Sequence, residues 1–407
     1  MADRDNEQIA LEMKINATFS PAAPIDQRSL FAGRSQQIDE IVDAVTQRGQ
    51  HAIIFGERGV GKTSLANILN DLFKPIWPRG LIVSKVNCDA TDTYASIWKK
   101  VFGEIRVFRR KRGIGYITRP SKERIDLVQL LGSDVSPTSV RHVLCSLEKH
   151  VVVIIDEFDR VQSESVRALV ADTIKSLSDY AVECTIVLVG VADSVNELIK
   201  EHLSIDRALM QVRMPRMSAE EIHEIVVKGL ESVAMTIESD ALQHISLLSQ
   251  GLPHYAHLLG QLSARRSVGS SRRTVQKGDV RDAIGDAIHK AQQSILGAYH
   301  KATMSTRVEA LYPQVLLACA LAPVDALGYF AATDVRGPMS QIMKKHYDIP
   351  AFSRHLNDFC EASRGPLLQK IGARRRFRFR FITPLMQPYV IMRGLATGLI
   401  EESLLRS

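Results

Sequence analysis

Residues 56–63 read Gly56-Glu57-Arg58-Gly59-Val60-Gly61-Lys62-Thr63, the one place in the chain where the pattern GxxxxGK[ST] occurs. An apolar run, Ala52-Ile53-Ile54-Phe55, leads into it. Behind it Leu65, Ile68, Leu69, Leu72 and Phe73 follow i, i+3, i+4, i+7, i+8 spacing, which marks one face of a helix. The order is therefore strand, glycine loop, helix. Glycines let a backbone wrap closely around an anion where a side chain would clash. The free N–H groups of the loop and of the helix start then point at that anion. Gly56, Glu57, Arg58, Gly59, Val60, Gly61, Lys62, Thr63 and Ser64 are the expected phosphate cradle. Lys62 is expected to neutralise β- and γ-phosphate charge and the Thr63 hydroxyl to ligate Mg²⁺, so ATP and Mg²⁺ are the implied cofactors.

A second stretch completes this chemistry. His150-Val-Val-Val-Ile-Ile-Asp156-Glu157 reads as a buried strand ending in two carboxylates. Asp156 is expected to hold Mg²⁺ through water and Glu157 to polarise the attacking water. Another strand, 185–189, runs into Gly190-Val191-Ala192-Asp193-Ser194, with Asn196 just beyond. Asp193, or second to it Asn196, is placed to orient water beside the γ-phosphate. The same residues read equally well as a strand-to-helix turn with its cap.

Five short apolar runs, 52–55, 82–86, 151–155, 185–189 and 209–214, read as strands covered on both faces. Helical periodicity lies between them, which implies an α/β fold: a parallel sheet in a three-layer αβα sandwich. After Pro215 the strand signal stops. Segments 219–232, 240–249, 253–266 and 277–300 read as helices of a lid, with 267–276 as a loop. Helices over 306–321, from about 339, and over 350–362 precede two β-like runs, 366–371 and 377–382. Helices followed by a hairpin suggest a winged helix-turn-helix. The expected domains are an N-terminal extension (1–24, loose), a P-loop domain (25–217), a helical lid (218–300) and a basic winged-helix domain (301–407).

The composition, 45% hydrophobic and 24% charged, is that of a soluble globular protein. The polar N-terminus carries no secretory pattern. The apolar stretch 385–400 is short and is interrupted by Gln387, Pro388 and Arg393, so no membrane span is expected. Cys88, Cys145, Cys184, Cys319 and Cys360 form no CxxC pair, which fits a reducing cytoplasm. From Lys301 onward there are 15 Lys+Arg and 8 Asp+Glu, so the whole net charge of +7 lies there. That asymmetry points to a polyanionic partner.

Together these elements resemble the AAA+/STAND group of P-loop ATPases, particularly archaeal-type ATPases and origin-recognition initiators, over about residues 30–400. Leu30-Phe31-Ala32-Gly33-Arg34 looks like the family's hydrophobic-GR motif, which implies that Gly33 and Arg34 pack near adenine. Asp156-Glu157-Phe158-Asp159 is similar to family Walker B strands, and Gly251-Leu252-Pro253 to the GxP signature of STAND lids. The resemblance implies a sheet of order 5-1-4-3-2, then a helical lid, then a winged helix. Two departures stand out. Where initiators usually carry a sensor arginine, this chain has His254 after Pro253; it reads as a phosphate contact or as a structural histidine. A trans-acting arginine finger is expected at Arg207, with Arg213 and Arg216 as competitors.

Two basic stretches remain. In 372–381 Arg374, Arg375 and Arg376 precede an alternating run in which Arg378 and Arg380 share one strand face. With Arg354 and Asn357 (and Ser353) on the candidate recognition helix, they are the expected contacts to double-stranded DNA. Arg106, Arg109, Arg110, Lys111 and Arg112 form another cluster, either a DNA grip or a solvated loop. Two functions fit. One is a homo-oligomeric, DNA-associated ATPase of replication, transposition or defence type. The other is a STAND-type signalling switch with slow ATP turnover, whose winged helix binds protein and which works with a separate effector.

Overall fold

The computed structural model describes residues 2–21, 23–24, 31–77, 80–111, 121–147, 149–193, 195–199, 205–305, 310–325, 327–373 and 376–406. Its strands are β1 His51–Gly56, β2 Leu81–Asn87, β3 Val107–Lys111, β4 Ser121–Ile125, β5 His150–Asp156, β6 Cys184–Val191 and β7 Leu209–Arg213, then β8 Thr236–Ile237, β9 Thr274–Val275, β10 Phe330–Ala331, β11 Leu368–Ile371 and β12 Arg378–Phe381. Five of them form the central sheet in the order β2-β5-β6-β1-β7, all parallel. Counted along the chain this is the expected 5-1-4-3-2.

Residues alternate between the two faces of the sheet. Ala52, Ile54, Val152, Ile154, Val187 and Val189 enter one core; Ile53, Phe55, Val151, Val153, Ile155, Ile186 and Leu188 enter the other. Both faces are therefore covered, which is why the strands read as unbroken apolar runs. The first core runs on without interruption through the lid helices into the C-terminal helices. It mechanically joins the phosphate loop to the end of the chain.

The lid consists of helices Ala219–Glu231, Ser239–Ser249, Pro253–Gly269 and Lys277–His289. Ser218 starts the first with a capping box to Glu221. The expected helix over 277–300 is two helices, because the chain turns at 290–292 before Gln293–Thr303. Within the expected loop 267–276, the preceding helix runs on to Gly269, and β9 pairs in parallel with β8.

The C-terminal part has helix Tyr312–Leu321, β10, helices Ala332–Met343 and Ile349–Asp358, then β11 and β12 in a sheet of order β10-β12-β11. Helices followed by a terminal hairpin lie in the order that the sequence led us to expect. The second helix begins at Ala332, not near 339. Pro338 lies inside it, and a proline ordinarily ends a helix reading. A last helix, Met386–Ala396, was visible in the sequence only as an apolar run. Its Pro388 falls in the first turn, where a missing N–H costs nothing.

The N-terminus is not the expected loose extension. Helix Ala2–Thr18 buries Leu11 and Ile15 and leads to the buried Phe19. The Phe19 ring fills a slot over Gly229 and Gly260; a Cβ on either glycine would lie 2.5 or 2.8 Å from it. A ring so buried is worth about 3–5 kcal/mol. The i, i+4, i+8 spacing of Leu11, Ile15 and Phe19 was the available signal. Among the described residues, no helix is long and apolar enough to cross a membrane, and all five cysteines are free.

Candidate nucleotide site

The end of β1 forms the phosphate loop. Gly56 has φ 148°, and a Cβ there would sit 2.4 Å from the Met214 carbonyl oxygen, so the strand can turn here only as glycine. Gly61, at φ 98°, is the N-cap of helix Lys62–Phe73. Lys62 therefore opens the helix, with Thr63 and Ser64 in its first turn, the end of a helix whose dipole favours an anion.

The Lys62 side chain is 7% exposed, and its Nζ donates to the Gly56 and Glu57 carbonyls at 2.9 and 2.8 Å. Burial pushes its pKa from 10.5 down to about 8, against the pull of Asp159, Asp156 and Glu57. Phosphate oxygens favour the charged ammonium, so ATP binding draws the pKa back up and, near and above pH 8, takes up a proton. ATP affinity is thus expected to be level below pH 8 and to fall by up to about tenfold per pH unit above it. Calorimetric titration in buffers of different ionisation heat checks both the slope and the proton uptake.

Arg34, in the left-handed region at φ 64°, is 2% exposed. Its Nη2 donates to the Val60 carbonyl at 2.9 Å and to the Pro215 carbonyl at 2.7 Å. The Gly33 and Arg34 N–H groups donate to Glu224 and Glu221 at 2.8 Å each. The GR pair thus braces the loop against the first lid helix.

Asp156, at the end of β5, is 2% exposed. Its Oδ1 accepts from the Glu157 N–H at 2.8 Å, and its Oδ2 lies 3.2 Å from Lys85 Nζ, which also donates to Asn67 of the phosphate-loop helix. Lys85 went unremarked in the sequence, although a lysine inside the apolar strand Leu81–Asn87 is a visible anomaly. Glu157 has φ 55°, a rarely occupied conformation for a non-glycine residue. It is half-exposed, and its Oε2 accepts from Arg160 Nη1 at 2.9 Å. Asp159 Oδ1 accepts from the Val191 N–H at 2.8 Å, tying the acidic turn to the end of β6. Among the described residues, no three His, Cys, Asp or Glu side chains cluster to hold a metal. Mg²⁺ at nucleotide sites needs only one or two carboxylates besides phosphate and water, so the hard oxygens of Thr63 and Asp156 fit it.

The C-terminal segment reaches this site at two points. Asp193 Oδ2 accepts from the Tyr329 hydroxyl at 2.9 Å, and its Oδ1 is ion-paired with Arg380 of β12. The Arg380 guanidinium lies 4.5 Å over the Tyr329 ring and donates to Gln369 at 2.8 Å. Burial, with the bond to Asp193, pushes the Tyr329 hydroxyl up to about 12. In the phosphate loop itself, Glu57 receives Arg216 in a two-pronged pair, Nε to Oε2 at 2.7 Å and Nη2 to Oε1 at 2.9 Å. Arg216 also donates to Gln387 of the last helix, and Gln387 Nε2 donates to the Ala320 carbonyl at 2.8 Å.

Other expected site residues fall differently. Pro253 lies beside the phosphate loop, 3.9 Å from where a Gly61 Cβ would be. His254 Nδ1 is bonded to the Pro21 carbonyl at 2.7 Å, which ties it to the N-terminal segment. Arg207 is 86% exposed and 4.0 Å from Asp179. Arg216 acts within its own chain on Glu57, unlike a finger offered to a neighbour. Arg378 and Arg380, expected on a DNA-facing strand surface, are instead paired internally, Arg378 with Asp325 at 2.9 Å and Arg380 with Asp193. A partly buried guanidinium beside a carboxylate gains more there than in water. Arg354 is exposed and 3.8 Å from Asp358. Asn357 accepts from Lys370 at 2.7 Å. Arg376 is exposed; Arg374, Arg375, Ser194 and the Asn196 side chain lie outside the described residues.

No curated protein matches this sequence. Among solved structures the chain is similar to the ORC2 protein of Aeropyrum pernix in its ADPNP–ADP complexes (13% identity, TM-score 0.49, 94% of this chain and 99% of that one). It is also similar to Cdc6p from Pyrobaculum aerophilum (15%, TM-score 0.46, 96% and 98%). A third is the RuvB Holliday junction branch migration motor of Thermotoga maritima (12%, TM-score 0.46, 91% and 96%). Residues 23–318, carrying the phosphate loop, Asp156, Glu157 and the Gly251-Leu252-Pro253 turn, match the family described as Novel STAND NTPase 1. The chain belongs to the Novel STAND NTPase 1 family.

Proposed function

We propose that this protein is a Mg²⁺–ATP-dependent switch whose winged helix is latched onto the nucleotide site until ATP releases it. The carrying observation is the double use of Asp193: the residue at the end of β6, suited to sensing a γ-phosphate, is held by Tyr329 and Arg380 of the C-terminal segment. Glu57, inside the phosphate loop, is held at the same time by Arg216, which Gln387 braces. Each bond to a charged group is worth about 1.5–3 kcal/mol. ATP opens the latch to the extent that it binds the released state more tightly than the latched one, each tenfold preference supplying about 1.4 kcal/mol. Hydrolysis through Glu157, with its γ-phosphate leaving the Asp193 side of the site, restores the latch. The exposed Arg207 is the group offered to a neighbouring subunit once the chain opens.

If ATP has to break the latch, weakening the latch tightens ATP binding. Arg380→Ala is expected to lower the ATP dissociation constant about tenfold, the equivalent of about 1.4 kcal/mol. Calorimetry on wild type and variant decides the matter; unchanged or weaker binding by Arg380→Ala counts against the switch.

A second function, duplex DNA binding by the winged helix, is favoured by one observation. Arg354, on helix Ile349–Asp358, is 84% exposed, with Lys370 and Arg376 on the adjoining hairpin.

A further inference from the structure

We propose that Lys85 sets the order in which metal and nucleotide enter the site: its ammonium keeps Mg²⁺ out of the nucleotide-free site and admits the ion together with ATP. The inference rests on the Mg²⁺–ATP reading above and deepens it. Lys85 lies within β2, at the edge of the central sheet, in register with Ile154 of β5. Side chains alternate along a strand, so Lys85 shares a face with Leu81 and Val83, which pack against the first core. A cation on an apolar face is costly unless it is paired. Lys85 finds two partners there. Its Nζ lies 3.2 Å from Asp156 Oδ2 and donates to the side-chain carbonyl of Asn67.

These partners place the ammonium behind the oxygens that suit Mg²⁺, those of Thr63 and Asp156. Asn67 follows Thr63 by four residues on helix Lys62–Phe73, one turn along the same face. Lys85 therefore joins the turn beneath Thr63 to Asp156. The two oxygens of Asp156 are used differently. Oδ1 accepts from the Glu157 N–H at 2.8 Å. Oδ2 is buried and completes no hydrogen bond among the described residues, so the Lys85 ammonium is its charge partner. Filling space does not call for this pair, because well-packed apolar residues in place of a buried ion pair are often neutral or stabilising. What the ammonium adds is charge. It balances Asp156 while no metal is present, and it repels a divalent cation arriving alone, with little water to screen the two. Phosphate oxygens reverse that balance. A triphosphate brings more negative charge than one carboxylate, and it supplies oxygen ligands of its own.

The test uses the full chain and Mn²⁺, a hard divalent ion that takes the same oxygen ligands. Equilibrium dialysis counts the ion retained by protein, with a non-hydrolysable ATP analogue either absent or equal on both sides. Wild-type protein is expected to hold Mn²⁺ at least about tenfold more weakly without the analogue than with it. Lys85→Met, which keeps an unbranched chain and removes the charge, is expected to bind Mn²⁺ without nucleotide at least about tenfold more tightly than wild type. Lys85→Gln, which keeps a donor for Asn67, is expected to shift affinity in the same direction, which covers the case where one variant misfolds. Adding Asp156→Asn to Lys85→Met is expected to abolish the gain. A lysine with a purely structural role would change the melting temperature and leave Mn²⁺ affinity alone. Wild-type Mn²⁺ affinity in the folded lysine variants therefore overturns the proposal, as does a gain that survives Asp156→Asn. Equally tight retention by wild type with and without the analogue, a comparison that needs no variant, also overturns it. Wild-type protein that retains no Mn²⁺ in either condition defeats the Mg²⁺–ATP reading itself, and this inference with it.

Discussion

Lys62→Ala is expected to raise the dissociation constant for Mg²⁺–ATP at least about a hundredfold. The Lys62 Nζ is held at the phosphate loop by two carbonyls of the loop itself. Turned onto β- and γ-phosphate oxygens it makes charge-assisted bonds worth about 1.5–3 kcal/mol each, and every 1.4 kcal/mol is tenfold in affinity. The folded chain does not need this ammonium, because burial already disfavours its charged form. Thermal stability of the variant is therefore expected to match or exceed wild type near neutral pH. Calorimetric titration with ATP and a thermal melt together separate lost binding from lost fold. Wild-type affinity in Lys62→Ala would remove the phosphate loop from the account.

Glu157→Gln is expected to cut hydrolysis about 10²–10⁴-fold, the usual contribution of a positioned general base, while leaving ATP affinity within a few-fold. Gln keeps the shape of the side chain and loses its ability to take a proton from water. Its bond to Arg160 is half-exposed on both sides and contributes about 0–1 kcal/mol, so the fold is barely affected. Phosphate release under saturating ATP gives the rate, and equilibrium binding gives the affinity. Turnover near wild type would assign the water-activating role to another acid, with Asp159 the nearest on the same turn.

The sheet, the phosphate loop and the two acids at the end of β5 were legible in the sequence because each is a local pattern. One run of residues carries the glycines, the lysine and the helix face. Strand order came through resemblance, since apolar runs alone do not say which strands are neighbours. What escaped the sequence is long-range. Glu57 meets Arg216 from 159 residues away and, through it, Gln387 from the last helix. Asp193 meets Arg380 from 187 residues away. No periodicity encodes such meetings; they arise from the core that joins lid and C-terminal helices. Alternation placed Arg378 and Arg380 on one strand face correctly in spacing. It could not say that acids of the chain itself, Asp325 and Asp193, would meet that face. The helix expected from about 339 starts at Ala332 and carries Pro338 inside it, and the apolar run 385–400 holds a helix with Pro388 in its first turn.

The latch is tested most directly by the size of the monomer in solution. Small-angle X-ray scattering, coupled to size-exclusion chromatography and restricted to the monomer peak, is to be recorded for Glu157→Gln with and without Mg²⁺–ATP. The account predicts a larger radius of gyration with ATP, and the same expansion without nucleotide once Arg380→Ala is added. A monomer whose scattering is unchanged by both ATP and Arg380→Ala would contradict it.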